Sequence, residues 1–134
     1  PKQLERAKSM PMAVHYRASL FGAVASATAY ECADWLDSAI ETMDSNRKFL
    51  KALLAEKLPT VGYRIPDCSY LAWLDLSSLN LGVNPSETLL TQGKVALNSG
   101  ITFGPDSGQF VRFNFATSEE IMYEAVNRIN SCVK

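Results

Sequence analysis

The sequence predicts an α/β chain of the α+β kind, a small antiparallel or mixed sheet of three to four strands covered by helices and preceded by a long connecting helix. Three observations carry this. Apolar residues recur at helical spacing from Leu36 to Leu58. Two stretches, Tyr70 to Leu76 and Phe110 to Phe115, alternate with the period of two that an extended backbone imposes. Glycine and proline then punctuate the second half into short pieces.

From Ser19 to about Cys32 small residues dominate, Ala23, Ala25, Ser26, Ala27 and Ala29 among them. They favour helix and let another backbone approach closely, so this helix reads as one built to be covered. Asp34 is a plausible N-cap for the next helix, in which Leu36, Ile40, Met43, Leu50, Leu54 and Leu58 form a stripe, with Lys48, Lys51 and Glu56 on other faces. Pro59 ends it. A helix over 34–58 is about twice the usual length, as a connection between two lobes would be. The expected organisation is therefore residues 1–33 as the end of a larger domain or a packing helix, and 34–134 as a small domain.

Val61 to Ile65 and Tyr70 to Leu76 read as a hairpin around Pro66-Asp67, with Tyr70, Ala72, Leu74 and Leu76 sharing one face. Trp73 and Tyr70 read as core and sheet-face residues. Asn84, Pro85 and Glu87 open a short helix running to about Gly93, and Lys94 to Leu97 is expected to be extended. The segment from Asn98 to Gln109 has too many breakers for regular structure. In Phe110 to Phe115 the side chains of Val111, Phe113 and Phe115 fall on one face, Arg112 and Asn114 on the other. Thr117-Ser118-Glu119-Glu120 is a capping box for a last helix whose stripe is Ile121, Met122, Ala125, Val126 and Ile129.

Composition narrows the function classes. Apolar residues make up 47% and charged residues 20%, which is ordinary for a globular domain. The 13 Lys and Arg are dispersed among 14 acids, giving a net charge of −1, so nucleic acid is not an expected partner. The stretch Ala18 to Tyr30 is too short and too weakly apolar for a membrane span. Pro1 is an odd native start and reads as the edge of a piece of a longer chain. Cys32, Cys68 and Cys132 form no CxxC pair, which points to a reducing cytoplasm and away from a disulfide framework or a metal site.

Among residues that could carry chemistry, Arg112 stands first. A guanidinium grips a carboxylate through two parallel charge-assisted bonds, and a strand interior fixes where the fork points. On spacing alone, a solvated surface residue is the more common outcome for an arginine on the open face of a sheet. Gly100, Gly104 and Gly108 form a walled loop rather than a phosphate cradle, because no Lys-Ser/Thr pair follows them. His15, the only histidine, has no GxSxG motif beside it and reads as a surface or interface residue. Asp34 and Asp37 read as helix-start residues.

The string Tyr70-Leu71-Ala72-Trp73-Leu74-Asp75-Leu76, then Val95-Ala96-Leu97-Asn98-Ser99-Gly100-Ile101-Thr102-Phe103-Gly104, then Gly108-Gln109-Phe110-Val111-Arg112-Phe113-Asn114-Phe115-Ala116-Thr117-Ser118, resembles the end of class I/II aminotransferases. These are fold-type I pyridoxal 5'-phosphate enzymes. The chain looks most like their MalY/PatB branch of cystathionine β-lyase-like C–S lyases. Ala29-Tyr30-Glu31, Trp35-Leu36-Asp37 and Asn46-Arg47 fit that branch as well, so the resemblance covers about residues 20 to 130.

That resemblance implies the C-terminal small domain of such an enzyme, with Arg112 binding the α-carboxylate of an amino-acid substrate. Asn98, Ser99 and Tyr70 are weaker pocket candidates. It also implies a cytoplasmic homodimer that converts an amino acid either by β-elimination of a thiol or by transamination. None of Lys2, Lys8, Lys48, Lys51, Lys57, Lys94 or Lys134 matches the family's cofactor-binding lysine motif. Pyridoxal phosphate is therefore expected to be held by a large domain outside this sequence, and these residues alone are not expected to be catalytic. In the turn before the Tyr-Leu-Ala-Trp strand the family commonly has Gly, and Cys68 takes roughly that place. The rival from another class is a stand-alone, non-enzymatic binding or regulatory module.

Overall fold

A computed structural model of the chain describes residues 2–11 and 18–133. They fall into two units, Pro1–Ser38 and Ala39–Lys134. His15 lies outside the described residues.

The first unit contains α1, Lys2–Lys8, and α2, Leu20–Ala29. Ser19 caps α2 by accepting a hydrogen bond from the Gly22 amide at 2.8 Å, which satisfies one of the free N–H groups at a helix start. No residue of α2 is buried, and Leu20 and Phe21 are both exposed.

Helix α3, Ala33–Lys57, is the long helix of the sequence reading. Asp34 does not cap it. The helix begins one residue earlier, and Asp34 sits in the first turn, where a carboxylate meets the positive end of the helix dipole. The apolar stripe is buried only in its second half. Leu50, Leu53, Leu54 and Leu58 are in the core, whereas Leu36 and Ile40 are exposed.

The sheet is antiparallel throughout, in the order β1-β2-β4-β3. Strands β1, Gly62–Tyr63, and β2, Leu71–Asp75, form the expected hairpin, and β4, Phe110–Asn114, pairs along all of β2. At the edge, β3 is only Asn98–Ser99. Ala72, Leu74, Val111 and Phe113 make the buried face, joined by the α3 leucines and by Met122, Val126 and Ile129 of the last helix. Truncating one of these buried leucines to Ala costs about 2–5 kcal/mol in such a core.

Strand alternation decides one correction. Ala72 and Leu74 are buried, so Trp73 between them must point to the opposite face, where it is 37% exposed and not a core residue. Tyr70 precedes the strand and is also exposed. The short helix α4, Pro85–Thr88, runs on into one wider π turn, Leu89–Gly93. Asn84 makes no capping bond to its backbone. Its Oδ1 accepts instead from the hydroxyls of Ser86 and Ser99.

Lys94 is left-handed at φ 57° and terminates the π turn, so the expected extension does not begin there, and 95–97 forms no strand. The expected loop from Asn98 contains β3 and two 3-10 turns, Gly100–Phe103 and Pro105–Ser107. At Gly100 any side chain would collide, since a Cβ there would lie 2.1 Å from the Ser107 carbonyl oxygen and 2.6 Å from that of Phe110. Helix α5, Glu119–Ser131, is capped by Ser118, and its stripe omits Ile121, which is 59% exposed. No helix among the described residues is long and apolar enough to cross a membrane.

Candidate functional site

Arg112 stands in the middle of β4, flanked in register by Trp73 of β2 and Asn98 of β3. The row Trp73, Arg112, Asn98 therefore crosses the sheet on the face away from the core. The arginine is half-buried. Its Nη2 donates to Asn98 Oδ1 at 3.1 Å, its guanidinium carbon lies 5.0 Å from the centre of the Phe103 ring, and its Nε is buried with no hydrogen-bond partner.

What this arginine lacks sets it apart within the Ala39–Lys134 unit. Arg47 is paired with Asp44, Arg64 with Asp67 at 3.8 Å, and Arg128 with Glu124 at 2.7 Å. Among the described residues no carboxylate pairs with Arg112, and no protein group accepts from its Nη1. The positive charge meets only a neutral amide oxygen and an aromatic face. A planar fork fixed at one corner and unneutralised is suited to a bidentate anion.

The structure brings one of the three weaker candidates to Arg112 and not the other two. Asn98 is hydrogen-bonded to it. Ser99 points its hydroxyl to Asn84 at 3.2 Å. Tyr70 lines a separate groove of about 460 Å³ with Met43, Asp44, Arg47 and Cys68, where Arg47 Nη1 also donates to the Pro66 carbonyl at 2.8 Å. Lys48 and Arg47 hold the Asp44 carboxyl below its ordinary value by hydrogen bonding to it.

Three residues beside Arg112 were not read as part of a site. Trp73 packs edge-on against Phe103 at 5.4 Å and 89°, and stacks on Phe110 at 5.5 Å and 12°. Phe110 was legible, since it is two residues from Arg112 on one strand and must share its face. Phe103 was not, because it arrives from a segment without periodicity.

A carbonyl cofactor anchored through a lysine needs an amine at the site. Lys48 pairs with Asp44, Lys57 with Glu56 at 2.9 Å, and Lys94 donates to the Thr91 carbonyl at 2.9 Å. None is among the contacts of Arg112. The contacts of Arg112 include no lysine amine among the described residues, so the site does not fit the cofactor's anchor. Among the described residues no group of three or more His, Cys, Asp or Glu could hold a metal ion.

No family model matches the chain. The cystathionine β-lyase of Corynebacterium glutamicum is 40% identical over 84% of this chain and 30% of its own length. A Mycobacterium tuberculosis protein assigned as a cystathionine β-lyase is 38% identical over 90% of this chain and 34% of its own. Among solved structures, a Corynebacterium diphtheriae protein assigned as a PLP-dependent β-cystathionase superposes with a TM-score of 0.83 at 30% identity, covering 99% of this chain and 36% of that one. The chain thus spans about a third of the length of the relatives it matches.

The four-stranded antiparallel sheet under helices is the C-terminal domain of PLP-dependent aminotransferase-fold enzymes. Within that class the chain belongs to the cystathionine β-lyase family, the branch of PatB and MalY, and corresponds to a C-terminal portion of its members.

Proposed function

We propose that this chain supplies the substrate-carboxylate grip of a pyridoxal-phosphate-dependent enzyme acting on an amino acid, with Arg112 as the gripping residue. The observation that carries this is the missing acid at Arg112. The other arginines of the Ala39–Lys134 unit, Arg47, Arg64 and Arg128, have carboxylate partners, and Arg112 alone is half-buried without one. Its strand holds the fork in place, and orientation of a bound amino acid relative to a cofactor is a large source of rate.

Pyridoxal phosphate, when bound, supplies an electron sink that labilises bonds at the α-carbon of the amino acid. The contribution of this chain is to bind the carboxylate and fix the rotation of that carbon. The favoured reaction is β-elimination from a cystathionine-like thioether, which consumes water and yields pyruvate, ammonia and a thiol. Transamination is the second outcome the family allows. The complete protein is read as a cytoplasmic homodimer, a compartment consistent with three free cysteines, of which Cys32 and Cys68 are exposed.

The test is an absorbance spectrum of the complete gene product purified with pyridoxal phosphate, before and after L-cystathionine is added, with pyruvate assayed in the same tube. A cofactor band that shifts, with pyruvate released, establishes the β-lyase. A shift without pyruvate favours transamination. Absence of a cofactor band removes the enzyme reading and leaves a binding module.

A further inference from the structure

We infer that Phe103 is a positioning residue for Arg112: its ring sets the plane of the guanidinium and leaves the outer edge, Nη1 and the second hydrogen of Nη2, open for a carboxylate. The inference rests on the reading of Arg112 as the carboxylate grip and adds to it the part that fixes the grip's angle.

Bidentate binding is demanding, because both donors of a planar fork must reach both oxygens of a planar anion together. A hydrogen bond from Nη2 to Asn98 Oδ1 at 3.1 Å fixes one corner and leaves rotation about that corner free. A ring face at 5.0 Å from the guanidinium carbon removes that freedom, since the cation is drawn over the ring by the ring's quadrupole. The ring is fixed in turn. Trp73 meets Phe103 edge to face at 5.4 Å and 89°, and Trp73 is backed by Phe110 at 5.5 Å. Gly100, three residues before Phe103, holds the same segment against the Ser107 and Phe110 carbonyls as only glycine can.

The choice of partners also matters electrostatically. An aspartate or glutamate in place of the ring would orient the guanidinium and cancel its charge. An aromatic face and an amide oxygen orient it and leave the charge for the ligand. The buried Nε without a hydrogen-bond partner fits a guanidinium held by a ring rather than by a full set of acceptors.

The experiment compares Phe103→Leu, Phe103→Met, Phe103→Trp and Arg112→Lys in the complete gene product loaded with pyridoxal phosphate. Two readouts are taken: KM and kcat for L-cystathionine, and equilibrium titration with L-alanine and L-alaninamide, which differ in the carboxylate. Expected for Phe103→Leu and Phe103→Met is an increase of about 3- to 30-fold in KM and in the L-alanine Kd, with kcat within about twofold, L-alaninamide unaffected, and recovery in Phe103→Trp. If Arg112→Lys weakens L-alanine and neither apolar variant does, the positioning role is wrong and Arg112 stands. Equal weakening of acid and amide overturns it too, as a structural effect. If Arg112→Lys changes nothing, the carboxylate reading falls and the inference with it.

Discussion

Asn46, in the middle of the long helix, donates its side-chain nitrogen to the carbonyl of Phe115 at 2.9 Å, and from the same nitrogen to that of Thr117 at 2.8 Å. The helix is thereby tied to the exit of the strand that carries Arg112, across a separation of 69 residues for the first bond. The amide is buried, so its two hydrogens have no water to fall back on. Replacing Asn46 with Ala strands two carbonyl acceptors and is expected to cost about 2–3 kcal/mol. Hydrogen exchange at the start of α5 in the complete gene product measures it, and unchanged protection there would refute the tie.

Arg112→Ala should raise KM for the amino acid and lower kcat/KM by about 2–4 kcal/mol, the loss of a charged hydrogen-bonding partner. Steady-state kinetics on the complete protein give the number directly. Kinetics equal to the wild type would take Arg112 out of the site.

Asn98→Asp tests the charge argument from the other side. The substitution is nearly isosteric and puts a carboxylate where the neutral oxygen now receives Nη2 at 3.1 Å. An internal ion pair would then compete with the substrate, and KM is expected to rise by about 10- to 100-fold, the range of one to two charged hydrogen bonds. A variant that binds its amino acid as well as the wild type would show that Arg112 does not need a free charge.

Ser69 occupies the left-handed region at φ 71°, immediately before the Tyr-Leu-Ala-Trp strand. The residue expected to stand where the family has Gly was Cys68, yet the conformation that favours Gly is found one position later. A side chain in that region costs about 1–2 kcal/mol, part of which Gly returns as chain entropy in the unfolded state. Ser69→Gly should therefore stabilise by about 0.5–1 kcal/mol, read as a shift in denaturant midpoint. A destabilised variant would mean that the Ser69 side chain contributes a contact outweighing its strain.

Asp44 gives a pH dependence of known sign. Its carboxyl is lowered by hydrogen bonds first from Lys48 and then from Arg47. A lowered folded value means that the charged form is favoured by folding, so its contribution is present above the ordinary carboxylate range and disappears as pH falls through the lowered value. Asp44→Asn should reduce the melting temperature at neutral pH, and the difference from wild type should close on acidification. A gap that persists in acid would assign the effect to packing.

Much of the fold was legible because periodicity reports directly on which face of an element meets a core. The long helix, the hairpin and the alternation of β4 follow from spacing, whereas the cap of α5 falls on Ser118, one residue after the Thr117 that the Thr-Ser-Glu-Glu box implies. Burial on the α3 stripe was not legible, since Leu36 and Leu50 obey the same spacing and only the second reaches the core. Trp73 was misplaced for a related reason. Its size argued for the core, and the parity of its neighbours Ala72 and Leu74 overruled it.

The sequence by itself determined the class of the chain and singled out Arg112, because an arginine in an alternating apolar strand and a set of ordered motifs are local facts. Tertiary structure alone decided what surrounds that arginine. Asn98, Phe103 and Trp73 lie 14, 9 and 39 positions away and converge through sheet register and ring packing. It also decided that no carboxylate among the described residues reaches Arg112. Both depend on which long-range pairs meet in space, and no local periodicity encodes that.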